Sequence, residues 1–114
     1  TNQAVAARIR EFQGVDLWGM SEVLNDAALK AVELAAGDGE NADFNRILGE
    51  TGSADRLGIV YNSNRLNLIR STQLTNIGSG NQRAPLVAEF LDRQSNQRFL
   101  FMVNHLARGN NALR

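Results

Sequence analysis

The chain has one histidine, His105, at the end of the run FLFMVNH (99–105) and directly after Asn104. A strand apolar on both faces belongs in the middle of a covered sheet, so its polar end falls where the sheet meets solvent. With an unperturbed pKa of about 6.5, an imidazole there can act as acid or base or donate a hydrogen bond. A histidine that simply satisfies its hydrogen bonds at a strand end is the plainer alternative. Glu22 poses a similar question, because it stands near the end of the apolar stretch 15–23. A carboxylate buried in a strand needs a cation beside it or must go neutral. An arginine and a metal ion both meet that need. Asp55 opens the strand that carries Leu57, Ile59 and Tyr61, and Arg83 stands just before the strand containing Pro85. Taken alone, the first reads as an exposed turn acid and the second as a solvated charge.

The elements that must position these four side chains begin as helix, strand, helix and go on as a run of strands. Val5, Ile9 and Phe12 recur at helical spacing over 2–12, where Asn2 is a candidate cap, and Gly14 stops the helix. The stretch 15–23 reads as a buried strand with apolar residues on both faces. A second helix over 27–36 follows, capped by Asn25 or Asp26, with Leu29, Val32 and Ala36 as its inner stripe. Strands are predicted over 44–50, 56–61, 66–74, 84–91 and 99–105, the last two pairing as a hairpin across the polar turn 92–97. The acidic loop 37–43 lacks the glycine and glutamate of a calcium loop at their required places. The GSGNQ loop (78–82) leads to a strand where a dinucleotide fingerprint demands a helix. Both are read as plain loops, and residues 112–114 as the start of a further helix.

Bulk properties exclude several functions. Twelve basic and twelve acidic residues leave zero net charge, which argues against a broad basic face for nucleic acid. The absence of cysteine rules out a disulfide framework, a thiolate zinc site and a thiol nucleophile. It leaves the compartment open, since secreted bacterial proteins also lack cysteine. No apolar run approaches the ~20 residues of a membrane-spanning helix, and no signal peptide is present. At 114 residues, without an initial methionine, the sequence reads as a piece of a longer polypeptide, and whether a signal preceded Thr1 and was removed is left open.

Taken together and in order, DLWGMSEV (16–23), DRLGIVYNSNRL (55–66), RAPLVAEF (83–90) and FLFMVNH (99–105) resemble the front half of the endonuclease/exonuclease/phosphatase superfamily, the DNase I-like metal-dependent phosphodiesterases. The resemblance implies an α/β fold, half of a four-layer α/β/β/α sandwich with mixed, mostly antiparallel sheets, and an incomplete domain over 1–114. It implies Mg2+-dependent hydrolysis of phosphodiesters, with Mn2+ or Ca2+ as alternative ions. A nucleic acid is the first-choice substrate, and a phosphomonoester, an inositol phosphate or sphingomyelin the alternatives. Glu22 would bind the metal, although Ser21 replaces the glutamine that usually precedes it. Asp55 would pair with His105 as the catalytic couple, and Arg83 would contact phosphate. The family's first-strand asparagine, its GD-x-N segment and its S-D-H segment have no counterpart here. Such groups act as a unit, so the piece alone is expected to be nearly inactive. The rival expectation is a non-catalytic module that self-associates through exposed sheet edges.

Overall fold

A computed structural model of the chain describes residues 2–12, 14–39, 42–51, 56–74 and 84–104. Two helices, separated in sequence by one strand, form the outer layer. α1 (Asn2–Arg10) buries Ala6 and Ile9 and leaves Val5 half exposed. Just past its end, the Phe12 ring meets Trp18 edge-on, with centroids 6.1 Å apart. α2 (Asp26–Gly37) starts where the Asn25 side chain accepts a hydrogen bond from the Ala28 N–H at 2.9 Å. That cap satisfies one of the donors a helix start leaves unpaired. Its inner stripe is Ala28, Leu29, Val32, Ala35 and Ala36, and Gly39 takes up the left-handed turn (φ 76°) just beyond it.

Both helices lie on the same side of the first sheet, whose strands β1 (Leu17–Val23), β2 (Phe44–Leu48) and β3 (Arg56–Asn62) run antiparallel in the order β1-β3-β2. Alternation along β3 divides the core. Val60 faces the helices, in one cluster with Val23 of β1 and Leu29 and Val32 of α2, while Leu57 and Ile59 face away. Gly58 also faces α2, and Leu29 lies directly over it. The residues facing away meet the second sheet, in which β4 (Leu66–Gln73), β5 (Leu86–Asp92) and β6 (Gln97–Val103) are antiparallel in the order β4-β5-β6. Leu66, Leu86, Ala88, Phe90 and Val103 complete this inter-sheet core. The described residues thus form three layers, α/β/β, and every described strand pairing is antiparallel.

The predicted hairpin between the fifth and sixth strands is present in register, from Leu86 opposite Val103 to Asp92 opposite Gln97. Two burial expectations fail. The stretch 99–105 was expected in the middle of a covered sheet, but β6 is an edge of the described sheet, with Leu100 68% and Met102 54% exposed. The expected both-faced burial of 15–23 fails likewise, because β1 is an edge strand whose residues are mostly half-buried or exposed. For β6 the physical reason is layer count, since both helices cover the first sheet and no described element covers the outer face of the second; for β1, whose sheet is covered on both faces, it is the edge position itself. The GSGNQ loop and the helix start at 112–114 lie outside the described residues.

Candidate active-site rim

Glu22 owes its position to an irregularity in the ladder. β1 and β3 pair regularly up to Met20 opposite Gly58 and resume with Val23 opposite Arg56, so Ser21 and Glu22 together oppose Leu57. This is a β-bulge, a device that re-aims a side chain next to functional sites. Glu22 adopts φ 59°, a left-handed conformation that costs a non-glycine residue roughly 1–2 kcal/mol. The expectation of a buried carboxylate is corrected here: Glu22 is exposed, because the bulge lifts it out of an edge strand before Val23 turns back into the core.

Asp55, Arg83 and His105 lie outside the described residues. Their described neighbours in sequence do fall at one end of the sandwich. Arg56, after Asp55, pairs with Val23, one residue beyond Glu22. Val103, two residues before His105, pairs with Leu86, at the start of the strand that Arg83 precedes. The two sheets meet closely here, since a methyl at Gly19 of β1 would lie 3.0 Å from Val103 Cγ2 and 3.1 Å from Phe101 Cζ.

A polar clamp that the sequence did not reveal ties this end together. Gln73 Oε1 accepts hydrogen bonds from the N–H groups of Glu50 (2.6 Å) and Thr51 (3.1 Å). Gln73 Nε2 donates to Thr51 Oγ1 (2.9 Å) and to the Ala84 carbonyl (3.0 Å). Thr51 Oγ1 also accepts from the Ala84 N–H at 3.1 Å. One amide, at the end of β4, thus joins the segment after β2 in the first sheet to the segment that leads into β5 in the second. Gly49 makes room for it, because a Cβ there would stand 3.0 Å from Gln73 Nε2. Beside the clamp runs an open groove of about 350 Å³, bordered by Glu50, Ser71 and Thr72. The β4 irregularity between Leu68 and Arg70 sets the register that carries Gln73 opposite Leu86, and no local pattern in the sequence marks it.

The opposite end is held by ions. Arg65 Nε donates to Asp92 Oδ1 at 2.9 Å, and its guanidinium lies 3.5 Å from Asp16. Asn62, 9% exposed, donates through Nδ2 to Asp16 Oδ1 (3.0 Å) and accepts from the N–H groups of Asp43 and Asn64. The Arg65 hydrogen bond, followed by that of the Gln94 N–H, holds the Asp92 carboxyl well below the usual carboxylate range.

Among the described residues no group of three or more His, Cys, Asp or Glu is placed to hold a metal ion. Glu22, a solvent-facing carboxylate, is of the ligand type that Mg2+ takes, an ion commonly held by one or two carboxylates with waters and substrate phosphate completing its shell.

Two antiparallel sheets face to face, helices on one outer side, and polar strand ends along one rim define a DNase I-like α/β half-sandwich. Comparison with solved structures gives the same answer. An endonuclease/exonuclease/phosphatase from Bacteroides vulgatus matches 89% of this chain with a TM-score of 0.66 at 16% identity, over 42% of its own length. A functionally unknown conserved protein from Enterococcus faecalis V583 matches 98% of this chain with a TM-score of 0.70 at 18% identity, over 46% of its length. The chain therefore shares the fold of the Bacteroides vulgatus endonuclease/exonuclease/phosphatase, and it spans less than half the length of either structure. No family model and no curated protein matches the sequence.

Proposed function

We propose that this chain supplies one half of the active site of a Mg2+-dependent phosphodiester hydrolase, with a nucleic acid as its first-choice substrate. The observation that carries the reading is the placement of Glu22, a carboxylate set in a bulge, in a strained conformation, at the end of an edge strand. Strained positions cluster at functional sites. On this reading Glu22 holds the metal, which when bound stabilises the charge that builds up on phosphate oxygens. Arg83 binds a phosphate oxygen and restricts the substrate's orientation. His105 holds or transfers a proton at an oxygen of the reacting phosphate, and Asp55 fixes its tautomer and favours the protonated ring.

Half of a cooperative site gives little turnover, so the test reads metal binding directly. Mn2+ is titrated into the isotope-labelled chain, and paramagnetic broadening of the amide signals is followed. Selective broadening around Ser21–Val23 that disappears in Glu22→Gln is the expected result. Broadening that is absent, or that is unchanged in the variant, overturns the assignment. Hydrolysis of bis(p-nitrophenyl) phosphate by this chain is expected to stay near background.

A further inference from the structure

Gly19 lies inside β1, where a glycine weakens the strand because it packs no side chain. Two ordinary reasons for a strand glycine do not apply to it. Its backbone is outside the left-handed region, and it pairs regularly with Ile59, ahead of the bulge that follows Met20. The reason that remains is the close approach of a neighbour. On its inner face β1 meets β6 of the other sheet, and a Cβ at Gly19 would lie 3.0 Å from Val103 Cγ2, 3.1 Å from Phe101 Cζ and 3.2 Å from Phe101 Cε2. Carbon atoms rest in contact at about 3.5–4.0 Å, so all three atoms would be crowded. Val103 cannot turn away freely, because it is β-branched, buried and paired with buried Leu86. Behind Gly19, β1 is backed by Ile59, which is fully buried in the same core between the sheets. An added methyl therefore acts on the spacing of the two strands.

Both strands run on from this contact to the proposed rim. β1 reaches Glu22 three residues later, and β6 gives way to exposed Asn104 directly after Val103. We infer that Gly19 is a positioning residue: by carrying no side chain, it sets the distance between Glu22 on the first sheet and Asn104 at the end of the last strand of the second. The inference rests on the proposed function, in which Glu22 holds a metal ion. A phosphate bound to that ion and touched by groups from the second sheet needs the two strand ends at one separation. Misplacement by about 1 Å costs a reaction of this kind roughly 100-fold in rate. The residue that fixes the separation touches neither the metal nor the substrate, and it acts through the packing of β1 on β6.

The test reads this separation in the full chain, with and without metal. A nitroxide attached through Ser21→Cys, at an exposed position of a chain that has no other cysteine, broadens the amide signals near it. Gly19→Ala is expected to reduce the broadening at Asn104, and Val103→Ala in the same chain to restore it. Mn2+ is expected to give the matching result, with broadening at Ser21–Val23 unchanged by Gly19→Ala and broadening at Asn104 reduced. A purely structural role, a loss of stability with the strand ends in place, would leave both measurements as they are in the parent chain. Nitroxide broadening at Asn104 that is equal with glycine and with alanine at position 19 overturns the inference and leaves metal binding at Glu22 standing. Mn2+ that fails to broaden Ser21–Val23 in the unaltered chain overturns the hydrolase reading, and the positioning role with it, whatever the nitroxide reports.

Discussion

Replacing Gly58 by alanine tests how tightly the helical layer sits on the first sheet. Gly58 is in the central strand, opposite Met20 and Leu48, and is not in the left-handed region. Backbone considerations alone therefore favour alanine, by about 0.4–1 kcal/mol. Sterics oppose it, because the added methyl would lie 2.9 Å from both Cδ atoms of Leu29, a side chain with 0% exposure. A leucine tip normally swings aside, but this one is enclosed by Val32, Ala28 and Val60 in the same cluster. Overpacking of this kind typically costs about 1–3 kcal/mol, so the net expectation is a loss of about 1–2 kcal/mol. For a domain of this size that lowers Tm by roughly 4–10 °C. The control is Leu29→Ala, which alone should cost about 2–5 kcal/mol. In that background Gly58→Ala should become neutral or stabilising, because its methyl then enters the vacated space. Urea unfolding of the four proteins measures the coupling. A Gly58→Ala protein more stable than wild type, or a cycle that is simply additive, refutes the packing argument.

Two further perturbations separate the ends of the sandwich. The folded-state pKa of Asp92 is depressed by Arg65, so its stabilisation is present above the unfolded carboxylate value and is lost as pH falls through the lower folded value. The urea midpoint should therefore decline below about pH 4, whereas Asp92→Asn should start lower at neutral pH and decline less on acidification. Equal acid sensitivity of the two proteins would remove Asp92 from the account. Gln73→Met keeps the side-chain length but leaves the Glu50 and Thr51 N–H groups and the Ala84 carbonyl without their partner, at roughly 1–3 kcal/mol for each group that water cannot reach. Hydrogen exchange should quicken at Glu50, Thr51 and Ala84 more than at Val60. A uniform change across the chain would mean that the clamp acts only through global stability.

The helices and the order of strands were legible because each is written locally. Leu29, Val32 and Ala36 repeat at helical spacing behind a capping Asn25, and the turn 92–97 separates two apolar runs of matching length. Burial was less legible because it depends on what covers a strand. The run 99–103 is apolar on both faces, and sequence alone assigns both to a core, whereas the described chain supplies a layer for only one. The same reasoning misplaced Glu22, since a bulge is set by the pairing with Arg56 and Gly58, thirty-odd positions away. Gln73 was invisible for a related reason: its partners Glu50, Thr51 and Ala84 come together only when two sheets stack. Among the four candidate site residues, the structure speaks to Glu22, and the sequence motifs carry Asp55, Arg83 and His105.

The contrast between the two ends follows from what each must tolerate. At the far end Arg65 joins Asp16 and Asp92, full charges whose attraction fixes the start of β1 and the turns beside β4 and β5. Charges are long-ranged and respond to salt and pH. The proposed rim is instead clamped by an amide and a hydroxyl, neutral groups whose hydrogen bonds die away within a residue or two. On the proposed reading a clamp of this kind adds no charge of its own, so the field met by a phosphodiester is left to the charged groups around it, Glu22 and Glu50 among the described ones. An ionic clamp at Gln73 would bias that field. Gln73→Glu illustrates the point: its carboxylate still accepts from the Glu50 and Thr51 N–H groups, but it faces the Ala84 carbonyl without a donor and adds a second acid beside Glu50. On the proposed reading such a change strengthens the attraction for a divalent cation and weakens that for phosphate, although the strands it joins stay where they are.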